Sequence, residues 1–365
     1  MSIAIEPALA GPAPAPPAPS TPIGRRLLAR ARPAGRIAAA VLAAWALFGI
    51  LVLVKGANPF TAFKDMIVST LGDTQSLGDI VIKATPIILA ALAVAVPARA
   101  GLINVGGEGQ LLIGGVAAAG VSLGLDGRLS GPLTLVLMLL GGAVAGALWA
   151  GLAAVLRLSV GISESVSTLL MNYIALDVMY FLIYDPWKDR QGSGQPATRP
   201  LRVSERLSVL GDSRVHAGII IALTAVVVIA VVLRTTSWGF RLGVVGGNPE
   251  AARRSGLKVG LLVISAMAVG GALAGLGGVA QLAGAEFKLR SGFLATYGYI
   301  GFLASWLGRH RPVGVLCSAL LLSAIAIGGD SLQIDSKLPA ASVNVLMALI
   351  LLMVFGFGKR KAASS

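Results

Sequence analysis

Leu261-Leu-Val-Ile-Ser-Ala-Met-Ala-Val-Gly-Gly-Ala-Leu-Ala-Gly-Leu-Gly-Gly-Val-Ala-Gln-Leu282 runs for 22 residues without a charged side chain. As a helix it would extend about 33 Å, enough to cross a hydrocarbon core of about 30 Å. Its apolar residues form one long block and do not alternate with polar ones, so the helix is built for lipid and for other helices, not for a water-facing shell. Gly271-Ala-Leu-Ala-Gly275 and Gly277-Gly278 lie inside the block, and Gly142-Ala-Val-Ala-Gly146 repeats the pattern elsewhere. Small residues four apart let helix backbones approach closely where lipid offers no hydrophobic drive to associate. The stretch therefore predicts a compact bundle of membrane helices.

Nine further apolar blocks occupy 37–54, 80–96, 102–125, 132–156, 166–184, 217–233, 296–308, 312–328 and 340–358. The expected fold is all-α: a polytopic bundle of about ten transmembrane helices. Composition agrees. Hydrophobic residues make up 56% of the 365-residue chain and charged ones 13%, about half the charged share of soluble domains; mean hydropathy is +0.83. Two blocks are irregular. The 296–308 block offers only about 20 Å of helix, so it is expected to be short or broken. In 102–125, Gly106, Gly107 and Gly109 surround Glu108 and suggest unwound backbone, tolerated at membrane depth only when packed in protein or lining water.

Residues 1–36 read as a disordered, Pro/Ala-rich and then basic tail (Gly11-Pro-Ala-Pro-Ala-Pro-Pro-Ala-Pro19, later Arg25, Arg26, Arg30, Arg32 and Arg36). The apolar run that follows exceeds the usual h-region of about 7–15 residues and lacks a small-residue cleavage site, so it reads as a retained first span. The net charge of +14 fits cytoplasmic loops that collect Lys and Arg better than nucleic-acid binding, since no basic run is interleaved with stacking aromatics. With both termini inside, the inner set holds the N-terminal arginines, Arg99, Arg157, Arg234, Arg241, Arg253, Arg254, Lys258, Arg309, Arg311 and the tail Lys359-Arg360-Lys361. The outer loops balance their cations with Asp65, Asp73, Asp79, Asp126, Asp185, Asp189 and others. The bundle thus spans 37–358, with a short cytoplasmic tail at 359–365.

Enzyme chemistry has little to stand on. Cys317 is the single cysteine, His216 and His310 sit at span ends, and no His/Cys/Asp set has metal-ligand spacing. No Gly-x-x-x-x-Gly-Lys-Ser/Thr loop exists to cradle nucleotide phosphates; Gly106-Gly-Glu-Gly109 lacks the lysine and a preceding strand.

The inner loop 234–260 contains a short helix in full. Asn248 is placed to cap it and Pro249 to start it; Glu250 sits at the positive end of the dipole, Arg253 and Arg254 at the negative end, and Gly256 closes it in the left-handed conformation. Its form is that of a docking element, or else of a solvated basic loop. Within the spans, Asn104, Glu108, Gln110, Glu164, Thr168, Asn172 and Tyr173 are candidate solute-pathway residues, because polar groups in lipid are costly. Glu164, Thr168 and Asn172 recur every four residues, on one helical face. Helix–helix hydrogen bonding is the alternative for each, and for Glu108 an ion pair with Arg99. Asp177 faces a different side, as a pathway or a packing residue, and Tyr180, Tyr184 and Trp187 suit an aromatic belt at the outer interface better than a nucleobase-stacking gate.

The run Trp238-Gly-Phe-Arg-Leu-Gly-Val-Val-Gly-Gly-Asn-Pro-Glu-Ala-Ala-Arg-Arg-Ser-Gly-Leu257 resembles the cytoplasmic loop of permease subunits in bacterial ABC importers of simple sugars, nucleosides and branched-chain amino acids. Gly101-Leu-Ile-Asn-Val-Gly-Gly-Glu-Gly-Gln110, Glu164-Ser-Val-Ser-Thr-Leu-Leu-Met-Asn-Tyr-Ile-Ala175 and Tyr297-Gly-Tyr-Ile-Gly-Phe-Leu-Ala-Ser-Trp-Leu-Gly308 agree with it in order. Asn172-Tyr-Ile-Ala175 followed by Asp185-Pro-Trp-Lys188 looks most like the nucleoside (purine) branch. Gly107 and Ser255 depart from the family pattern. The resemblance implies a transport subunit that binds no cofactor itself. ATP and Mg would sit on a cytoplasmic ATPase, gripped through the coupling helix at Pro249. A second, paralogous permease and an extracytoplasmic binding lipoprotein would complete an assembly in the bacterial inner membrane. Ribose-like sugars are the alternative substrates. A secondary transporter using Glu108, Asp177 and Glu164 as coupling carboxylates is the alternative mechanism.

Overall fold

The computed structural model describes residues 23–192, 194–335, 339 and 341–358. Of the expected disordered tail 1–36, residues 1–22 lie outside them, as does the tail 359–365, whereas 23–36 are helical. Among the described residues every regular element is helical, and extended pairing is limited to the isolated bridges Ala197–Arg290 and Val209–His216.

Seven helical segments are long and apolar enough to cross a membrane: α3 (Thr74–Ala98), α4 (Gly107–Leu125), α5 (Gly131–Val160), α6 (Glu164–Tyr184), α7 (Gly218–Thr235), α10 (Val259–Gln281) with its π turn Leu282–Glu286, and α12 (Pro312–Asp335). Before them, α1 (Ile23–Val54) and α2 (Pro59–Leu71) form a pair bent by 117°, counting as an eighth span if taken together. Of the other two expected spans, α11 (Tyr297–Leu307) is short, with 11 residues, and α13 (Ala341–Gly358) has 18, as many as α7. Between α7 and α10 lie two short helices, α8 (Ser237–Gly247) and α9 (Pro249–Arg254).

Helix α2 was not among the apolar blocks, because Lys64 and Asp65 dilute its hydropathy. Its start is nonetheless written locally. Gly56 takes φ +81°, Asn58 Oδ1 accepts the Phe60 N–H at 2.9 Å, and Pro59 opens the helix where its missing N–H costs nothing. Ala62, Met66 and Thr70 are then buried, with Met66 and Thr70 facing Gly328 of α12.

The most enclosed span is α3, 83% buried against 28% for α5 and for α7. Beside it, α10 packs against α5, α3 and α4. The glycine pairs seen in the sequence meet here. A methyl group on Gly271 or Gly275 would overlap the Gly146 or Gly142 carbonyl of α5, and one on Gly278 would overlap the Leu111 carbonyl of α4. Glycine is required by this close approach, and dispersion contacts between backbones replace those a larger side chain would make.

The loop 185–217 lies over the end of α10. Thr198 N–H donates to Leu289 O (2.9 Å), Leu201 to Phe287 O (2.7 Å) and Leu207 to Ala283 O (2.9 Å). The buried Glu205 accepts from Ser122 Oγ at 2.6 Å and the Arg206 guanidinium lies 4.2 Å from the Phe287 ring centre. Asp126, bound by Arg199 at 2.6 Å, is held below the usual carboxylate range, and burial holds His216 below the ordinary imidazole value.

Candidate functional site

The break in the 102–125 block falls just ahead of the glycines that suggested it: α3 ends at Ala98 and α4 starts only at Gly107, so 101–106 are unwound with Gly106 among them, while Gly107 and Gly109 are helical. An unwound segment in a membrane must find partners for its backbone. Helix α6 supplies them from one face. Glu164 Oε1 accepts the Ile103 N–H at 3.0 Å, and Thr168 Oγ1 accepts the Val105 N–H at 3.2 Å. Asn172 Oδ1 accepts the Gly109 N–H at 2.8 Å, while its Nδ2 donates to Val105 O at 3.0 Å. The four-residue spacing of these side chains matches the path of the strand-like segment beside them. Glu164 is also ion-paired with Arg157, and Asn172 Nδ2 reaches the Tyr299 hydroxyl at 3.4 Å.

Asn104 and Gln110 join amide to amide, in both directions (3.0 and 2.9 Å), and Asn104 Nδ2 also donates to Ala93 O of α3 at 3.0 Å. Glu108 does not pair with Arg99, the partner weighed from sequence; Arg99 lies instead against Gly243 of α8. The Glu108 carboxylate accepts the Thr296 N–H with Oε1 and the Gly298 N–H with Oε2, both at 2.6 Å. These are the free amides at the start of α11, and Glu108 occupies the first turn of α4 as well. One carboxylate therefore sits at the positive ends of two helix dipoles, with short charge-assisted bonds. Leu294 (φ +54°) and Thr296 (φ +73°) turn the chain into α11 through the left-handed region, unusual for side chains of their kind and a mark of strain held in place by the surroundings.

Six of the seven expected pathway residues are thus brought together: Asn104, Glu108, Gln110, Glu164, Thr168 and Asn172, each 8% exposed or less. All are engaged with backbone or with one another. Tyr173 stands apart, 59% exposed on the opposite face of α6. Thr296, Gly298, Tyr299 and Arg157 complete the knot and were not singled out. Tyr299 lies in the quoted run beginning at Tyr297, so its hydroxyl was in view. The two amides donate through backbone, which leaves no residue-type signal.

Between α8 and α10, α9 forms as its sequence dictates. Asn248 Oδ1 accepts the Glu250 and Ala251 N–H groups, each at 3.0 Å, and Gly256 has φ +80°. Ala252 is fully buried while Arg253 and Arg254 are exposed, each paired with Glu250 (3.0 and 3.2 Å). Such surface pairs contribute about 0.2–1 kcal/mol. Helix α8, missed as a helix in the loop 234–260, anchors α9: Trp238 Nε1 donates to Ser265 Oγ of α10 at 3.0 Å, and Gly246 packs on the backbone of Arg99, Ala100 and Gly101.

A bundle of lipid-length helices with a broken pair knotted by buried polar groups, and a capped basic helix between two of its spans, is the architecture of a membrane transport subunit. Residues 76–355 match the family described as "Branched-chain amino acid transport system / permease component", and the chain belongs to that family as a multi-pass membrane permease. It is 35% identical over 326 residues to the glucose ABC transporter permease protein TsgB13 of Haloferax volcanii, covering 86% of this chain and 85% of the relative. It is 33% identical to the guanosine ABC transporter permease protein NupP of Bacillus subtilis (86% and 91% covered) and 31% to the nucleoside ABC transporter permease protein NupB of Lactococcus lactis (86% and 88%). Each of these two bacteria has a further similar permease, NupQ at 27% and NupC at 26% identity.

Proposed function

We propose that the chain imports nucleosides as one of two paralogous permease subunits driven by a cytoplasmic ATPase. An extracytoplasmic binding protein delivers the solute, and the chain itself holds no cofactor; ATP and Mg belong to the ATPase. The exposed, fully capped α9 is the observation that carries this reading: a short rigid helix projecting two arginines suits a groove on a mechanical partner. Two of the named relatives act on guanosine or nucleosides, and the paired permeases in their hosts support a heterodimer. A sugar substrate is the second reading, favoured by the glucose permease relative.

The assembly sits in the bacterial inner membrane with α9 and both termini cytoplasmic. Counting 287–307 as one broken span, and α13 as a full one, gives about ten crossings and keeps the arginine-rich loops inside. Motion imposed on α9 passes to α8, from Gly246 to Arg99–Gly101, and so into the unwound segment 101–106. There Asn104, Glu108, Gln110, Glu164, Thr168 and Asn172 act as the hinge between α4, α6 and α11, not as a high-affinity solute site.

The double variant Arg253→Glu/Arg254→Glu tests the coupling. It is expected to insert normally but to lose the ATPase on co-purification and to cut ATP-dependent nucleoside uptake at least tenfold. Wild-type uptake in this variant would show that α9 is only a solvated loop. Uphill uptake by the isolated chain under an ion gradient would replace the ABC reading with a secondary transporter.

A further inference from the structure

Helix α6 packs mainly against α4 and α5 and touches α11 through Asn172 and Tyr299, and the opposite side of it is uncovered. On α5, which is also uncovered along much of its length, the exposed side chains at mid-span are aliphatic, among them Leu140, Val144, Leu148 and Leu152. That is the signature of a lipid contact. The uncovered side of α6 begins in the same way, with Val166 and Leu170; Ile174, Val178 and Phe181 continue it along one edge, and along the other edge it changes. One and two turns further out it carries Tyr173 and Asp177, both exposed, then Tyr180 and Tyr184, whose rings meet edge to face at 6.2 Å.

Asp177 forms no hydrogen bond or ion pair among the described residues. It lies about 20 Å along the helix from Glu164 and about 12 Å short of Asp185. A carboxylate on so short a stem cannot reach the outer interface from there, and its charge in hydrocarbon is unfavourable. Water must therefore reach this face.

We infer that the outer half of this α6 face, Tyr173 and Asp177 with Tyr180 and Tyr184, is a wall of the solute path, where Asp177 accepts hydrogen bonds from a neutral, hydroxyl- and N–H-bearing solute while the tyrosines offer flat apolar faces. The inference rests on the permease reading and sharpens it. An uncompensated carboxylate disfavours anions, so phosphorylated solutes are excluded. Aromatic faces one turn to either side of an acceptor suit a planar base carrying a sugar. In the paired assembly the second permease supplies the opposite wall.

The test uses the complete complex in proteoliposomes, with Cys317→Ser to remove the exposed native thiol. Asp177→Cys and, separately, Tyr173→Cys are treated from outside with a charged, membrane-impermeant methanethiosulfonate; Leu148→Cys on α5 is the lipid-facing control. The expected result is modification at 177 and 173, slowed at least threefold by guanosine but not by guanosine monophosphate, with none at 148. A second variant, Asp177→Asn, is expected to lower guanosine uptake at least tenfold at unchanged complex assembly. Positions 177 and 173 as unreactive as 148, or wild-type uptake in Asp177→Asn, would overturn the inference. Failure of the wild-type complex to take up any solute with ATP would instead overturn the permease reading beneath it.

Discussion

The two faces of α6 carry polar groups for opposite reasons. Facing the bundle, Glu164, Thr168 and Asn172 are all buried, and their partners are the backbone groups that α4 leaves free by starting late. Facing away, Tyr173, Asp177 and Tyr184 are all exposed, and the two with the most reach, Tyr173 and Tyr184, are 59% and 58% open. A polar residue in a membrane helix is thus not one kind of signal. Where its partner is part of the same chain it marks a break being held shut; where no partner is present it marks a surface that something polar must visit. The difference is measurable, because damage to the first face should appear as lost folding and damage to the second as lost transport.

The largest effect is expected at Asn172. Replacing it by leucine removes the acceptor for Gly109 N–H and the donor to Val105 O, two backbone groups with no water to turn to. Each unsatisfied buried group costs about 1–3 kcal/mol, although measured hydrogen bonds within membranes average nearer 0.6 kcal/mol because the unfolded chain finds partners too. Asn172→Leu should therefore lower stability by about 2–4 kcal/mol, read as the midpoint of denaturant unfolding in mixed micelles. Gly109 aggravates the loss: its missing side chain lets α4 lie directly on Asn172, so leucine has no room to turn away. An unfolding midpoint equal to wild type would mean that the inward face is not holding the break.

Much of this arrangement is legible from residues alone. The glycine pairs of 142–146 and 271–275 do pack together, Gly106 does lie in unwound backbone although Gly107 and Gly109 already belong to α4, and the fourfold spacing of Glu164, Thr168 and Asn172 does put them on one face. Asn248, Pro249 and Gly256 cap α9 as their chemistry requires. Three things were hidden. Helix α2 was masked by its own Lys64 and Asp65, since hydropathy registers side chains and not the local start signal at Asn58. The partner of Glu108 was invisible because it is backbone, 188 residues away at Thr296. Tyr173 was grouped with Asn172 by adjacency, yet neighbours on a helix lie about 100° apart, and the two fall on opposite faces.

A smaller loss is expected from Glu108→Gln, which keeps the size and one carbonyl acceptor but turns an amide NH2 toward the other donor. Either Thr296 N–H or Gly298 N–H then faces hydrogen instead of oxygen. One unsatisfied donor, together with the lost charge at two helix N-termini, should cost about 1–3 kcal/mol in the same unfolding measurement. Protease sensitivity confined to 287–296 would locate that cost at the start of α11. Stability equal to wild type would show that α11 is fixed by its packing on α3 and α12, and that Glu108 is held there for transport alone.

The smallest effect should come from the other face. Tyr184→Phe removes a hydroxyl that forms no hydrogen bond among the described residues and leaves the edge-to-face contact with Tyr180 intact. Surface changes of this kind stay within about 0.5 kcal/mol, so the unfolding midpoint should match wild type in the experiment that exposes Asn172→Leu. The size of the gap between these variants is what carries information. If Tyr184→Phe destabilised the chain as much as Glu108→Gln does, the outer hydroxyl would have a partner within the folded subunit. The two faces of α6 would then be alike, both serving to hold the bundle together, and Asp177 would lose its claim to an open path.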